Sequence, residues 1–241
     1  YMPISERVYS HDAYPFSLVN GKYKYEDRFV GSLEGIAIRA EQAGATKGMY
    51  TQNHHSIINP ESVSYQYFTA MTYGYTHFTT YCYMNEWGEK QYSVTNGGVK
   101  TDNYYYYKAA HEKVKSMEAV YTNFCSRRIG TMGVTGKTAG VKTWSKCTDM
   151  AEKLPLINGV SADYDLLVGA FADEAGNYGY MLANQAMPDD TTKNAVEIVF
   201  AGAKKLAVWA NGKPVETIEG KNGKFTVTLD MGGGAFVIPL A

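Results

Sequence analysis

The spacing of hydrophobic and polar positions changes near residue 123. Before it, short apolar runs alternate with segments in which apolar residues recur every three or four positions. That alternation is typical of βα units and predicts a parallel sheet, hence an α/β fold, for this part. In 26–43 the pattern places one apolar face on a helix, formed by Phe29, Leu33, Ile36, Ala37 and Ala40.

Glycine, proline and capping residues set the predicted boundaries of these elements. Gly44 suits the C-terminal end of the first helix. Asn59 and Pro60 suit the N-cap and first position of a second helix, which runs to about Tyr73 before Gly74. Thr101 could cap a third helix over 102–122, with Ala109, Val114, Met117 and Tyr121 as inward candidates. The predicted strands are 46–52 and 76–84.

From about residue 124 the chain consists of short strand-like runs separated by turn signals. Asn211-Gly212 and Asn222-Gly223 match the preference of type I′ hairpin turns. Such a pattern predicts an antiparallel sandwich or barrel. The segment 126–162, rich in glycine, is expected to hold one or two early strands and a long loop. Two domains follow from this change of pattern, 1–123 and 124–241.

Composition narrows the possible partners. The 241 residues are 45% hydrophobic and 20% charged, with a net charge of -1, which gives no indication of nucleic acid or an anionic membrane as partner. No apolar run approaches the roughly 18 residues needed to span a bilayer. The 21 tyrosines stand out against 9 phenylalanines. Tyrosine combines a flat apolar ring with a polar tip, which suits sugars, although many tyrosines simply pack at half-buried positions.

Other features of the chain set further expectations. Its three cysteines, Cys82, Cys125 and Cys147, have neither metal-type spacing nor the arrangement of a disulfide framework. The chain opens on Tyr1, inside a strand-like segment and without a visible signal peptide. We therefore expect a piece of a longer protein, and the sequence does not indicate a compartment.

Polar and aromatic side chains collect where the predicted parallel strands end. In parallel βα architecture, functional groups lie on the loops that follow the strands. Amides, imidazoles, phenols, carboxylates and an indole together suit the hydroxyls and ring faces of a carbohydrate. The residues at the three ends are His11, Asp12 and Tyr14; Gln52, Asn53 and His54; and Tyr81, Tyr83, Glu86 and Trp87.

Each candidate also has a structural alternative. Asp12 could only cap its loop, and Glu86 with Trp87 could form a solvated loop tip. His54 and His55 resemble half of a metal site, but adjacent histidines point in different directions and no second cluster has ligand spacing. No metal and no cofactor are therefore expected.

Several segments resemble one family of enzymes. DAYPF, MYTQ, AMTYGYTHFTTYCYMN and TDNYYYYKAAHEKVKSM, in this order, are similar to segments of (β/α)8-barrel glycoside hydrolases such as the family 42 β-galactosidases and their relatives. LLVGAFADEAGNYGYMLANQ and GKFTVTLDMGGGAFVIPLA resemble the β-sandwich at the end of such enzymes. The resemblance covers nearly the whole chain and implies a partial (β/α)8 barrel, its last three βα units, followed by an antiparallel β-sandwich.

The resemblance also implies what this piece lacks. An N-terminal half of the barrel would be the missing partner, and it would carry the main acid/base carboxylate. Three parallel strands alone would leave an open sheet edge, so we expect a weakly stable first part beside a stable sandwich.

The end of the second strand departs from the family pattern. Retaining enzymes of this kind carry a nucleophilic Glu there, whereas MYTQN has Gln52, and an amide cannot form the glycosyl ester. The two carboxyl groups of a glycosidase lie about 5–5.5 Å apart in retaining and about 6.5–9.5 Å apart in inverting enzymes. Asp12 and Glu86 are the only carboxylates at these strand ends and so become the catalytic candidates.

The other residues at the strand ends would bind the sugar. Gln52 and His54 would bind hydroxyls, and Tyr83 and Trp87 would stack on sugar rings. The expected function is that of a glycoside hydrolase-like protein acting on a galactoside or a plant-type oligosaccharide. The alternative is a non-catalytic carbohydrate-binding or structural module.

Overall fold

The computed structural model describes residues 7–53, 58–81, 83, 94–138, 144, 147–190 and 192–241. In these ranges the chain forms sixteen strands and four helices. The helices are α1 (Arg28–Gln42), α2 (Pro60–Met71), α3 (Asp102–Lys115) and α4 (Glu118–Thr122). The strands before α4 are β1 (Val8–His11), β2 (Phe16–Val19), β3 (Lys22–Tyr25), β4 (Thr46–Gln52), β5 (His77–Tyr81), β6 (Thr95–Asn96) and β7 (Val99–Lys100).

A three-stranded parallel sheet in the order β1-β4-β5 forms the centre of the first part. Helix α1 connects β1 to β4, and α2 connects β4 to β5. The apolar face of α1 packs on this sheet through Phe29 and Leu33, which share a buried cluster with Met49 of β4. The sheet also has exposed side chains, among them Val8, Tyr50 and Tyr81.

Several predicted boundaries are confirmed. Strand β4 has the predicted limits, and Asn59 is the N-cap of α2, where it forms a capping box with Ser62. Thr101 is the N-cap of α3, although its hydroxyl donates to the Val94 carbonyl oxygen rather than capping the helix. The predicted helix over 102–122 is interrupted at Ser116 and Met117, where the last turn of α3 ends.

Two antiparallel sheets form the remainder of the chain. Their strands are β8 (Arg128–Val134), β9 (Ile157–Ala162), β10 (Leu166–Ala172), β11 (Tyr178–Asn184), β12 (Asn194–Phe200), β13 (Lys205–Ala210), β14 (Glu216–Glu219), β15 (Lys224–Leu229) and β16 (Gly234–Leu240). One sheet has the order β14-β13-β16-β11-β10-β8 and the other β15-β12-β9. A hydrophobic cluster joins both sheets, from Leu166 and Val237 in the first to Ile198 and Val227 in the second.

Turn chemistry fixes the hairpins of these sheets. Asn211 and Gly212 have φ of 56° and 70°, and Asn222 and Gly223 have φ of 55° and 75°. Positive φ at both central residues is what a type I′ turn requires, so both predicted turns are confirmed. One or two strands are expected within 126–162, and the structure has two there, β8 and β9.

The predicted fold class is wrong. The described residues are mostly β-strands in several small sheets with four helices, which does not fit a partial (β/α)8 barrel with three βα units. The physical reason lies in two hairpins that the apolar pattern does not reveal. The β2-β3 hairpin stands between β1 and α1, and the β6-β7 hairpin stands between β5 and α3. After α3 and α4 the chain enters the antiparallel sheets without forming another strand of the parallel sheet in the described ranges.

One hydrophobic core extends across both parts of the chain. Phe68 of α2 and Tyr121 of α4 belong to the same buried cluster as Phe171 of β10 and Phe236 of β16. The Tyr121 ring meets the Phe171 and Phe236 rings edge-on, with centroids 6.0 and 5.9 Å away. In the described part of the chain, no helix has both the length and the apolar character needed to cross a membrane.

Candidate functional site

The carboxyl ends of β4 and β5 bring three of the predicted residues together. Gln52, the last residue of β4, stands opposite Tyr81, the last residue of β5. The Asn53 N–H donates to the Tyr81 carbonyl oxygen at 2.9 Å and so continues the pairing by one residue. Because parallel strands point the same way, these ends lie along one edge of the sheet.

His11 ends β1 but lies in the core. It stands opposite Met49, three residues before the end of β4, and its ring meets the Phe29 ring edge-on at 5.5 Å. Only 2% of the residue is exposed, and neither ring nitrogen has a hydrogen-bond partner in the described chain. Burial lowers the pKa of His11 to about 4, against the opposing effect of Asp12, so the imidazole is neutral at pH 7.

The loop after β1 carries the other predicted residues of that strand end. Asp12 is exposed, and Tyr14 is half-buried and close enough to Tyr107 of α3 to influence its ionisation. The loop is tied to β4 because the Gln52 side-chain amide donates to the Phe16 carbonyl oxygen at 3.0 Å.

Gln52 is held by a network from three directions. Its N–H donates to Gln66 Oε1 of α2 at 2.6 Å, and its carbonyl oxygen accepts the Tyr107 hydroxyl at 2.5 Å. Its Nε2 is fixed by Phe16, whereas its buried Oε1 has no hydrogen-bond partner among the described residues. A buried acceptor without a partner carries a free-energy cost, and a ligand hydroxyl or a water would remove it.

Helix α3 supplies residues that the sequence analysis missed. Asn103 donates through Nδ2 to Asn53 Oδ1 at 2.9 Å, one turn before Tyr107 reaches Gln52. His111 follows one turn later and pairs through Nε2 with the Tyr67 hydroxyl at 2.6 Å. The spacing of four residues places all three on one face of α3. That spacing was the signal in the sequence that could have identified them. The predicted inward residue Ala109 is exposed, and its neighbour Ala110 is buried instead.

Two predicted aromatic residues are open to solvent near this edge. Tyr81 is 52% and Tyr83 is 56% exposed. Three further predicted residues, His54, Glu86 and Trp87, lie outside the described residues.

The chemistry of the site is that of neutral hydrogen-bonding groups. Gln52, Asn53, Asn103 and Tyr107 offer amides and a phenol, and Asp12 is the carboxylate at the described strand ends. Across the described ranges, no group of three or more His, Cys, Asp or Glu side chains is placed to hold a metal ion.

Comparison with known proteins gives structural similarity only. No family model matches the chain, and no curated protein matches it. A family 30 glycoside hydrolase, an endoxylanase from Clostridium papyrosolvens C71, aligns with a TM-score of 0.43 and 13% identity over 97% of this chain and 49% of its own. A xyloglucanase from Paenibacillus polymyxa, of glycoside hydrolase family 44, aligns with a TM-score of 0.32 and 11% identity over 87% of this chain and 35% of its own.

The chain therefore spans half or less of the length of these two proteins. Both are glycoside hydrolases, and neither belongs to family 42.

Proposed function

We propose that the chain is a carbohydrate-active protein that binds a sugar at the carboxyl ends of β4 and β5. The observation that carries the proposal is the Gln52 side chain, which is 98% buried, fixed through Nε2, and left with an unpaired Oε1 among the described residues. A sugar hydroxyl donates the hydrogen bond that this oxygen lacks. The amide itself is already oriented, so the cost of binding lies in moving aside the side chains that cover this buried oxygen.

The neutral surroundings favour a sugar over a charged small molecule. The groups fixed beside Gln52 are uncharged, namely Asn53, Asn103 and Tyr107. Tyr81 and Tyr83 offer exposed rings close by, and aromatic rings pack on the apolar faces of sugar rings. A galactoside or a plant-type oligosaccharide is the ligand class that we propose.

Hydrolysis is the second candidate function, with Asp12 and Glu86 as the proposed catalytic pair. Asp12 favours it, because this exposed carboxylate follows β1 directly. Gln52 opposes a retaining mechanism, since it stands where the family resemblance implies a nucleophile and its amide cannot form a covalent ester. Binding without turnover therefore remains the better supported of the two.

Titration calorimetry with galacto-oligosaccharides and xylo-oligosaccharides tests the binding proposal. The Asp12→Ala/Gln52→Ala double variant is expected to lose at least about tenfold in affinity, roughly 1.4 kcal/mol. Tyr81→Ala serves as a second variant, because an exposed side chain can be removed without disturbing the core. Tyr105→Ala is the matched control. Tyr105 lies on α3 and is as exposed as Tyr83, so its removal should leave the affinity unchanged.

The outcomes separate the two functions. Unchanged affinity in both folded variants contradicts the site. Release of reducing ends by the unmodified chain, lost in Glu86→Gln and in Asp12→Asn, would establish hydrolysis. Binding without any release would establish the non-catalytic alternative.

A further inference from the structure

A groove runs beside the end of β5 along α3. Its volume is about 240 Å³, and it is lined by Thr80, Tyr83, Val94, Tyr104, Tyr107 and His111. Four of these six residues carry an aromatic ring with a polar atom. Three charged residues also line the groove. Lys108 and Glu112 pair with each other at 3.3 Å, and Lys115 adds one further positive charge.

The wall of the groove is preorganised by buried aromatic contacts. The His111 ring meets the Tyr67 ring at 5.2 Å and 89°, and the His111–Tyr67 hydrogen bond is only 2.6 Å long. Tyr67 is 1% exposed and packs against Tyr107 and Phe78. A binding group attached to such a core does not have to be ordered when a ligand arrives.

The groove is joined to the Gln52 site through one residue. The Tyr107 ring lines the groove, while its hydroxyl donates to the Gln52 carbonyl oxygen at 2.5 Å. Tyr83, which we have placed beside the strand ends, lines the same groove. The strand-end site and the groove are therefore neighbours that share a wall.

We propose that this groove is a second subsite, so that the ligand is an oligosaccharide of at least two units rather than a monosaccharide. This inference rests on the proposed function. One unit binds at Gln52, and the next lies in the groove against the face of the Tyr104 ring that is turned away from Lys100, whose Nζ lies over the ring at 4.3 Å. His111 and Thr80 are the hydrogen-bonding groups of this subsite. Aromatic faces suit the apolar side of a sugar ring, and the imidazole and hydroxyl suit its edge.

The test compares ligand lengths against variants of the groove alone. Affinities are measured by calorimetry for xylose, xylobiose and xylotetraose, and for galactose and a galactobiose. We expect the disaccharide to bind at least about tenfold more tightly than the monosaccharide. Tyr104→Ala and His111→Ala should each remove most of that gain while leaving the monosaccharide affinity unchanged.

Controls keep the test independent of folding. His77→Ala removes an exposed histidine from the start of β5, at the far end of the strand, and should change no affinity. Tyr104→Phe keeps the aromatic ring and should retain the higher affinity for the disaccharide. This variant matters because His111→Ala removes the hydrogen bond to Tyr67 and can reduce stability. Circular dichroism of each variant establishes that it is folded.

Two results overturn the inference in distinguishable ways. If mono- and oligosaccharides bind equally well, or if Tyr104→Ala weakens all lengths alike, the groove is no subsite while the Gln52 site stands. If no sugar of any length binds, the proposed function fails and the subsite fails with it.

Discussion

At the scale of single residues, His11 is a titratable group buried in an apolar environment. It is packed against Phe29 with both ring nitrogens unpaired among the described residues, and its pKa is about 4 rather than the usual 6.5. The unfolded chain therefore takes up a proton near pH 6.5, whereas the folded chain does so only near pH 4. The stability due to neutral His11 is complete above pH 6.5 and is lost as the pH falls towards 4.

We expect this loss to reach about 3 kcal/mol in the free energy of unfolding. Urea unfolding of the unmodified chain at pH 7 and at pH 4.5 measures most of this loss. His11→Phe fills the same space without a titrating group and should remove most of that difference, whereas His77→Phe, at an exposed histidine, should not. Equal pH dependence in the unmodified chain and His11→Phe would show that His11 does not titrate in this way.

The candidate site could be predicted only where it depends on strand ends. Gln52, Asn53 and Tyr81 follow from the end of an apolar run, and the structure brings them together. Gln66 and Tyr107 could not be found that way, because their roles depend on helices packing against the end of β4. His11 ended a strand as expected, yet the pattern could not tell which side of the sheet its ring would occupy.

At the scale of elements, the N-terminus of α2 is fixed by Asn59 in two ways. Its Oδ1 accepts the Ser62 N–H at 2.7 Å, and its Nδ2 donates to the Pro188 carbonyl oxygen at 3.0 Å. The first bond satisfies a helix N–H that would otherwise lack a partner. The second ties the helix to the loop between β11 and β12.

Asn59→Ala should reduce the free energy of unfolding by about 1–2 kcal/mol, since it removes both bonds. Asn59→Asp keeps the acceptor, adds favourable charge at the helix N-terminus and loses only the donor. We therefore expect Asn59→Asp to be distinctly more stable than Asn59→Ala in urea unfolding at pH 7. If both substitutions reduce the free energy of unfolding equally, the hydrogen bond to the Pro188 carbonyl oxygen would account for the stabilisation by Asn59.

Element boundaries were predictable where a single residue type dictates the backbone. The Asn-Gly pairs of the later hairpins and the Asn59-Pro60 start of α2 are of this kind. The same signal is present at Asn20-Gly21, where φ is 53° and 75°, and it would have predicted the β2-β3 hairpin. Helical periodicity hides this signal, because the pattern of 26–43 predicts a helix directly after the first strand.

At the scale of the whole molecule, an ion-pair network and a shared core join the two parts of the chain. Glu41 of α1 accepts hydrogen bonds from Lys47 Nζ at 2.6 Å and from Arg128 Nε of β8 at 2.7 Å. The Lys47 and Arg128 side chains are only 5% and 4% exposed. Burial disfavours the ionised Glu41, but the hydrogen bonds from Arg128 and Lys47 outweigh it and hold the pKa of Glu41 below its usual value.

The backbones of the two parts also meet closely. Gly169 of β10 lies against the Thr72 carbonyl oxygen at the end of α2, where a Cβ atom would collide. Together with the cluster around Phe171 and Phe236, this contact argues that the parallel and antiparallel parts unfold together. The sequence instead led us to expect a weakly stable first part beside a stable second one, so the two expectations can be separated by experiment.

Two probes observe the two parts separately during urea unfolding. All four described helices precede residue 123, so circular dichroism at 222 nm follows the first part. Fluorescence of Trp209 on β13, with Trp87 and Trp144 replaced by Phe, follows the second. We expect the two transitions to coincide. Glu41→Gln should shift both equally, by about 3 kcal/mol, because buried Lys47 loses its charged partner and Arg128 keeps only Asp149, at 3.4 Å.

Glu219→Gln removes a charge from the exposed pair with Lys205, which is 2.9 Å long, and should change either transition by less than about 0.5 kcal/mol. A helix signal lost at lower urea than the Trp209 signal would instead show two independent units. In that case the change of sequence pattern near residue 123 would also separate two independently folding units. Glu41→Gln would then move only the transition at lower urea.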